Sequence, residues 1–189
     1  MRRRADRARN SNAEEVGIGR RRGSNGRVGT VGGVTRSAPR IVTFVVGTYV
    51  VRGDRVLLMF HDALRRWVPP GGRIDMARGE LPHEAAVRKA AEETGLAVDL
   101  LALNTDVTVE DHLASPVPQP LLVQVIDRTS EDYFDFAYVA TTTDETVKVN
   151  YDRARAFHWF TVEDLARYPL APHVAVHAGR AVALAGAAA

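Results

Sequence analysis

The sequence predicts a mixed α+β domain, an α/β/α sandwich around one sheet, preceded by an unstructured basic arm. From Ile41 onward, short β-branched and apolar segments come first, then one charged helical segment, then further strands and two C-terminal helices. This order indicates a single mixed sheet covered by helices, and it differs from the regular strand–helix alternation of a Rossmann fold. The 189 residues are enough for one domain with a sizeable core.

The composition excludes several classes of protein. The chain has no cysteine, which rules out disulfides and thiolate metal sites and agrees with a cytoplasmic protein. No apolar run reaches the roughly 18 residues of a membrane helix, so we expect no membrane partner. Residues 1–40 hold 11 arginines against 3 acidic residues, and the remainder holds 14 basic against 20 acidic residues. The domain is therefore acidic, which favours metal binding over broad nucleic-acid binding.

The N-terminal arm, residues 1–38, is rich in Arg and Gly and contains no aromatic residue. Such a segment cannot bury enough apolar surface to offset its loss of chain entropy, so we predict that it is disordered. It also lacks the apolar core of a signal peptide. A solvated tail is the favoured interpretation, and a tether for nucleic acid or another anionic surface is the alternative. The folded domain is expected to span residues 39–189.

Removal of residues 1–38 should leave the melting temperature of the domain within a few degrees of that of the full chain, because the arm has no apolar pattern that could pack. Thermal unfolding of the two proteins measures this. A large loss of stability would show that the arm contributes to the core. If the arm binds nucleic acid, the affinity should fall steeply with salt and disappear on truncation.

Strands are predicted where β-branched and apolar residues are bounded by turn signals. The segments 41–51 and 55–60 flank the turn Arg52–Asp54 and predict a hairpin. A loop with a short strand around Trp67 follows. The later strands are predicted in the segments 97–109, 120–127, 132–142 and 155–160.

Helix boundaries are marked by residues with known terminal preferences. Pro82 suits the first turn of a helix, and Gly95 fits the position just after its end. Thr161 can cap a short helix that has Asp164 at its third position. A last helix is predicted from His173 to Ala185.

The helix after Pro82 carries five charged residues that form three i,i+4 pairs: Glu84–Arg88, Arg88–Glu92 and Lys89–Glu93. Each such pair contributes about 0.2–0.5 kcal/mol on an exposed helix, so a solvated surface would explain the charges. A pocket is the alternative, because Lys89 and Glu93 share a helix side with small alanines. The opposite side has apolar residues of its own, Val87 and Ala91, so the helix is expected to be covered on more than one side.

The turn before this helix contains two adjacent glycines, Gly71 and Gly72. Glycine lets the backbone approach a ligand closely. A backbone carbonyl combined with the carboxylates of Glu92 and Glu93 is a hard-oxygen site suited to Mg²⁺ or Mn²⁺.

Residues 72–96 resemble a degenerate Nudix box, G-x5-E-x7-R-E-U-x-E-E-x-G-U, in which U is a bulky aliphatic residue. The segment "WVPPGG" before the box and "WFTVEDL" near the end match the usual context. The resemblance covers roughly residues 41–185 and implies a Nudix-like mixed sheet flanked by helices. The positions that match in register are Glu80, Arg88, Glu92, Glu93, Gly95 and Leu96.

The resemblance to the Nudix hydrolases also implies an activity and its residues. The implied reaction is Mg²⁺- or Mn²⁺-dependent hydrolysis of a small-molecule substrate, a nucleoside diphosphate linked to another group. Glu92, Glu93 and a carbonyl from Gly72 or its neighbour would bind the metal. Arg88 would orient the carboxylates, and Glu80 would support the box.

The sequence departs from the box at three places. Lys89 stands where the family has a metal-binding Glu, seven residues instead of five separate Gly72 from Glu80, and Ala90 replaces a bulky aliphatic residue. The added positive charge opposes metal binding by several kcal/mol in order of magnitude, although a lysine can also contact a substrate phosphate. Two interpretations follow: a hydrolase weakened by Lys89, or a non-catalytic nucleotide-binding or regulatory module with a basic tether.

Further candidates come from acidic, histidine and aromatic residues. A neighbouring segment offers three acids that could supply another metal ligand or a base, with a solvated turn as the alternative: Glu131, Asp132 and Asp135. Six histidines show no metal-ligand spacing and are expected to be exposed or hydrogen-bonded: His61, His83, His112, His158, His173 and His177. Three aromatic residues could stack on a base, but core packing is favoured: Phe134, Tyr138 and Phe157.

Overall fold

The computed structural model describes residues 40–103, 114–128, 131–148 and 154–188. These residues form eight strands and three helices. The strands are β1 (Ile41–Arg52), β2 (Arg55–His61), β3 (Arg66–Val68), β4 (Gly71–Arg73), β5 (Asp99–Leu100), β6 (Leu122–Asp127), β7 (Glu131–Thr141) and β8 (Ala154–Phe160). The helices are α1 (Pro82–Thr94), α2 (Val162–Arg167) and α3 (Pro172–Ala188). The predicted arm, residues 1–38, lies outside the described residues, as does His112.

The strands form one mixed sheet in the order β3-β2-β1-β7-β5, to which β4, β6 and β8 are added beside β1, β7 and β2. The long strands β1 and β7 are parallel, with Ile41 opposite Glu131 and Val51 opposite Thr141. The other pairings are antiparallel. The short strand β4 pairs with the middle of β1, and it leads the chain towards α1.

Helices cover both faces of the sheet, as predicted for an α/β/α sandwich. On one face, Ala85 and Ala86 of α1 pack with Val46 and Tyr138. On the other face, α3 packs against a larger apolar cluster from β1, β2 and β7. None of the described helices is long and apolar enough to cross a membrane.

The predicted elements are confirmed in the described residues, with changes at their boundaries. The hairpin turns at Gly53, which adopts a left-handed backbone conformation with φ 59°. Thr161 caps α2, and its hydroxyl accepts a hydrogen bond from the Asp164 N–H. The predicted strand 97–109 is reduced to β5 in its described part, and residues 104–109 lie outside that part. The glycine turn was expected to be a loop, but Gly71–Arg73 is the strand β4.

Helix α1 is covered on one side only. Its buried residues all lie on the side that carries the alanines: Ala85, Ala86, Lys89, Ala90, Glu93 and Thr94. Val87 and Ala91 on the opposite side are exposed, so the expected second cover is wrong. The apolar character of these two small residues was too weak a signal of burial.

The aromatic and histidine predictions hold in part. Tyr138 is buried and Phe134 packs edge-to-face against Phe44 and another ring, whereas Phe157 is exposed on β8 and contributes little to the core. The buried Nδ1 atoms of His83 and His177 have no hydrogen-bond partner within the described part of the chain. At these two nitrogen atoms the expected hydrogen bond is therefore not made within the described residues.

Candidate active site

A cavity of about 440 Å³ opens between α1 and the loop that follows β4. Seven residues line it: Arg73, Ile74, Asp75, Arg78, Arg88, Lys89 and Glu92. The sequence predicted the last three of these as site residues. The sequence did not predict Arg73, Asp75 and Arg78 as site residues. The two extra residues between Gly72 and Glu80 were the signal that this loop could add side chains to the site.

Strand β4 (Gly71–Arg73), which we call the glycine strand, lies between β1 and α1. A Cβ atom on Gly71 would lie only 2.2 Å from the carbonyl oxygen of Val46, so this close approach excludes a side chain. The Gly71 N–H donates a hydrogen bond to Oε2 of Glu93 across 3.0 Å. Glu93 is only 8% exposed. Because its carboxylate accepts this hydrogen bond, it joins the inner side of α1 to the glycine strand.

Arg88 holds two carboxylates with its fork of donors. Its Nε and Nη2 donate to the two oxygens of Glu80 across 2.5 and 2.7 Å, and its Nη1 donates to Oε1 of Glu92 across 2.9 Å. Oε2 of Glu80 also accepts a hydrogen bond from the Asp75 N–H at 2.7 Å. These bonds lower the pKa of Glu80, with the hydrogen bond from Arg88 as the main cause. Glu80 thus joins the loop to α1 through Arg88.

Lys89 lies inside the site and is 9% exposed, so the alternative of a solvent-facing side chain is wrong. Its Nζ forms an ion pair with Oε2 of Glu92 at 2.8 Å. Its aliphatic stem covers Gly72, where a Cβ atom would lie 3.2 Å from two Lys89 carbons. The pKa of Glu92 is lowered by hydrogen bonds from Lys89 and then from Arg88. Both oxygens of Glu92 are therefore engaged by cations of the protein itself.

The three acidic candidates outside α1 lie on β7 and make different contacts. Glu131 accepts a hydrogen bond from the hydroxyl of Thr43 at 2.8 Å and lies 3.4 Å from Arg73. Asp132 is buried and forms an ion pair with Arg40 at 3.4 Å. None of the three lines the cavity beside α1.

Asp135 is also buried. It accepts a hydrogen bond from the side chain of Gln124 at 2.8 Å, and burial raises its pKa. Along β7 it precedes Phe136, which packs on the α1 face, so the alternation of side chains directs Asp135 to the face covered by α3. This placement separates Asp135 from Glu92 and Glu93.

Arg88→Lys should lower activity by about 10- to 100-fold, the range seen when a group that orients metal ligands is removed. Lysine keeps the charge but cannot hold two carboxylates with a planar fork. Steady-state rates on any accepted substrate measure the loss, and Arg180→Lys on α3 is the matched control.

The free energy of unfolding of Arg88→Lys should fall less in acid than that of the wild type. Arg88 holds the pKa of Glu80 below its usual range. Their stabilising contact is therefore complete above the ordinary Glu pKa and is lost as the pH falls through the lowered value. Denaturant unfolding of the wild type and of Arg88→Lys at a series of pH values measures this difference. Identical acid profiles would contradict the assigned role of the Arg88 fork.

Comparisons with known proteins agree with this architecture. A family model described as the NUDIX domain matches residues 42–179. Among curated proteins, no match to the chain is found. Solved structures provide the remaining comparisons.

Many solved structures match the chain, and three of them serve as examples of the shared fold. A hydrolase of the NUDIX family from Clostridium perfringens is 28% identical, with a TM-score of 0.66, and the match covers 76% of this chain and 97% of that one. A MutT NUDIX hydrolase from Burkholderia pseudomallei is 23% identical, with a TM-score of 0.55 and coverage of 76% and 97%. An Ap4A hydrolase from C. elegans is 16% identical, with a TM-score of 0.53 and coverage of 77% and 96%.

Proposed function

The chain belongs to the NUDIX family, and from this premise we propose that it hydrolyses a nucleoside diphosphate linked to another group in a reaction that depends on Mg²⁺ or Mn²⁺. The family match and the Nudix hydrolases among its structural neighbours support a pyrophosphohydrolase. One neighbour is named as an Ap4A hydrolase, which agrees with a nucleotide substrate. The cysteine-free composition supports the cytoplasm as its compartment.

The observation that carries the proposal is the connected group of charged residues beside the cavity. Arg88 holds Glu80 and Glu92, while Glu93 is fixed to the Gly71 N–H. This arrangement gives α1 and the glycine strand a defined spacing. Such fixed spacing is what a site needs when catalysis depends on positioning and electrostatic stabilisation.

The donors present are chemically suited to one hard divalent cation. Glu92, Glu93 and a carbonyl of the glycine strand, proposed here as that of Gly72, are hard-oxygen donors. The backbone of β1 leaves no room for a side chain at Gly71, and the stem of Lys89 fits closely over Gly72. Mg²⁺ is commonly held by one or two carboxylates together with substrate phosphates and water, so a larger set of protein ligands is not required. No group of three or more His, Cys, Asp or Glu residues gathers as a metal site in the described residues.

A bound metal would neutralise charge on the phosphate oxygens as the anhydride bond breaks. The residues of the chain have separate roles in the proposed reaction. Arg88 and Glu80 fix the position of Glu92, and Glu93 fixes the glycine strand against the helix. Lys89 is the proposed contact to a substrate phosphate, because its ammonium already lies at the cavity wall and can exchange Glu92 for a more highly charged anion. The same ammonium weakens metal binding at Glu92.

The alternative is a nucleotide-binding or regulatory module without catalysis. It is favoured by one observation, the engagement of both oxygens of Glu92 by Arg88 and Lys89. In such a module the protein cations would bind the diphosphate, and the bond would stay intact.

A screen separates these two functions. The full chain is incubated with a panel of nucleoside diphosphate derivatives in the presence of Mg²⁺, Mn²⁺ or a chelator, and phosphate-containing products are measured. Metal-dependent release of a nucleoside monophosphate supports the hydrolase. Tight binding of the same compounds without turnover in any metal would favour the binding module.

A further inference from the structure

The end of β4 and the loop that follows it carry two arginines, Arg73 and Arg78, that the proposed reaction does not use. Arg73 and Arg78 both line the cavity, and 67% and 87% of their side-chain surfaces are exposed. Each guanidinium lies 3.4 Å from one carboxylate, Arg73 from Glu131 and Arg78 from Asp75. Ion pairs with this exposure contribute little in water, so both groups are able to turn towards a ligand.

Hydrogen bonds hold the backbone that carries these arginines. Ile74 is buried, and its N–H donates to the carbonyl of Phe44 at 3.1 Å. The Asp75 N–H is bound by Glu80, which Arg88 holds in turn. The additional loop length forms a single 3₁₀ turn at Met76–Arg78, closed by a glycine in the left-handed conformation. A rigid backbone reduces the entropy lost when its side chains bind a ligand.

The charge of the cavity differs from that of the domain. Four basic residues and two acidic residues line it, whereas residues 41–189 hold 14 basic and 20 acidic residues. A site that relied on metal ions alone would be lined mainly by acids. Two of these cations, Arg73 and Arg78, form their ion pairs at exposed positions, where a ligand with several negative charges can replace the carboxylate.

We infer that Arg73 and Arg78 form a second anion-binding subsite at the rim of the cavity, which receives a further phosphate on the linked part of the substrate. The inference rests on the proposed function for the hydrolytic step. A subsite of this kind requires an anionic linked group. When that group begins with a phosphate, the substrate has three or more consecutive phosphates, and we expect compounds of this kind to be preferred. Nucleoside diphosphate sugars, whose linked group is neutral, are the less favoured class. Guanidinium groups suit this role because their fork matches phosphate oxygens.

Binding of inorganic triphosphate to the full chain in the presence of a chelator tests the subsite without the reaction. The double variant Arg73→Gln/Arg78→Gln should bind triphosphate about tenfold more weakly than the wild type, which corresponds to about 1.4 kcal/mol. Its binding of inorganic monophosphate should change less than twofold. Arg55→Gln, an exposed arginine in the β1–β2 hairpin, is the control and should leave both affinities unchanged. Equal triphosphate affinity in the double variant and the wild type would overturn the inference.

Kinetics provide the second measurement. The ratio of kcat/KM for a nucleoside triphosphate to that for a nucleoside diphosphate sugar should fall about tenfold in the double variant. An unchanged ratio would overturn the inference even if both compounds are hydrolysed. If the wild type hydrolyses neither these two compounds nor any other member of the nucleoside diphosphate panel, the proposed function fails, and the triphosphate-binding comparison alone decides whether the anion subsite exists.

Discussion

Glu93→Gln is expected to abolish the rise in melting temperature that Mg²⁺ or Mn²⁺ gives the wild type, and to lower the hydrolytic rate by about 100-fold or more. Loss of a residue that only supports a metal ligand costs 10- to 100-fold, so loss of a proposed ligand should cost at least as much. A metal that binds only the folded state raises the free energy of unfolding by an amount that grows with the logarithm of its concentration divided by Kd, so the thermal shift reports occupancy of the site.

Glutamine is a suitable replacement because it can preserve the local structure. Its side-chain carbonyl can still accept the hydrogen bond that Oε2 of Glu93 accepts from the Gly71 N–H. The matched control is Glu145→Gln, which removes an exposed carboxylate that does not line the cavity. Circular dichroism of the metal-free proteins checks that both variants fold. An unchanged metal response in folded Glu93→Gln would place the metal site elsewhere.

The sequence could predict α1 and much of the site because the signals there are local. Pro82 and Gly95 mark the ends of the helix through backbone preferences that act at single residues. The i,i+4 spacing of Arg88 and Glu92 places the guanidinium within reach of the carboxylate, and the structure joins them. This connection therefore follows from residue type and helical periodicity together.

The parts that could not be predicted depend on distant contacts. Gly71 and Gly72 have low strand propensity, and β4 forms because β1 pairs with it and leaves no room for a side chain. The i,i+4 pattern predicted a pair between Lys89 and Glu93. The structure also gives Lys89 an ion pair with Glu92 at i,i+3, while Glu93 accepts a hydrogen bond from the Gly71 N–H. Helical spacing alone cannot choose between these partners.

The contact made by Glu84 also differs from the one that the helical pattern predicted. The helical pattern offered it as a partner for Arg88, but its carboxylate accepts a hydrogen bond from the Leu81 N–H at the start of α1. Arg88 is then available to Glu80, which lies before the helix. Because Glu80 also binds the Asp75 N–H, the position of the arginine-bearing loop depends on this choice of partners.

Lys89→Glu is expected to increase Mg²⁺ affinity by tenfold or more and to raise kcat, while KM for the substrate also rises. The change replaces the ammonium that engages Glu92 with the carboxylate found at this position of the Nudix box. Tenfold in affinity corresponds to about 1.4 kcal/mol, which is less than the several kcal/mol by which a nearby unit charge can oppose a dication. The rise in KM would report the loss of the proposed phosphate contact.

The same substitution should destabilise the metal-free protein. Lys89 is buried, so the cost should exceed the ±0.5 kcal/mol of a surface change and reach about 1–3 kcal/mol. The added carboxylate would face Glu92 without a cation between them, and Mg²⁺ should restore the lost stability. Lys89→Gln is the matched control: it removes the positive charge without adding a negative one, and it should give an intermediate metal affinity. If folded Lys89→Glu binds Mg²⁺ more tightly but its kcat falls, the ammonium stabilises the reacting phosphate itself, and Lys89 is a working part of the site rather than the limit on its rate.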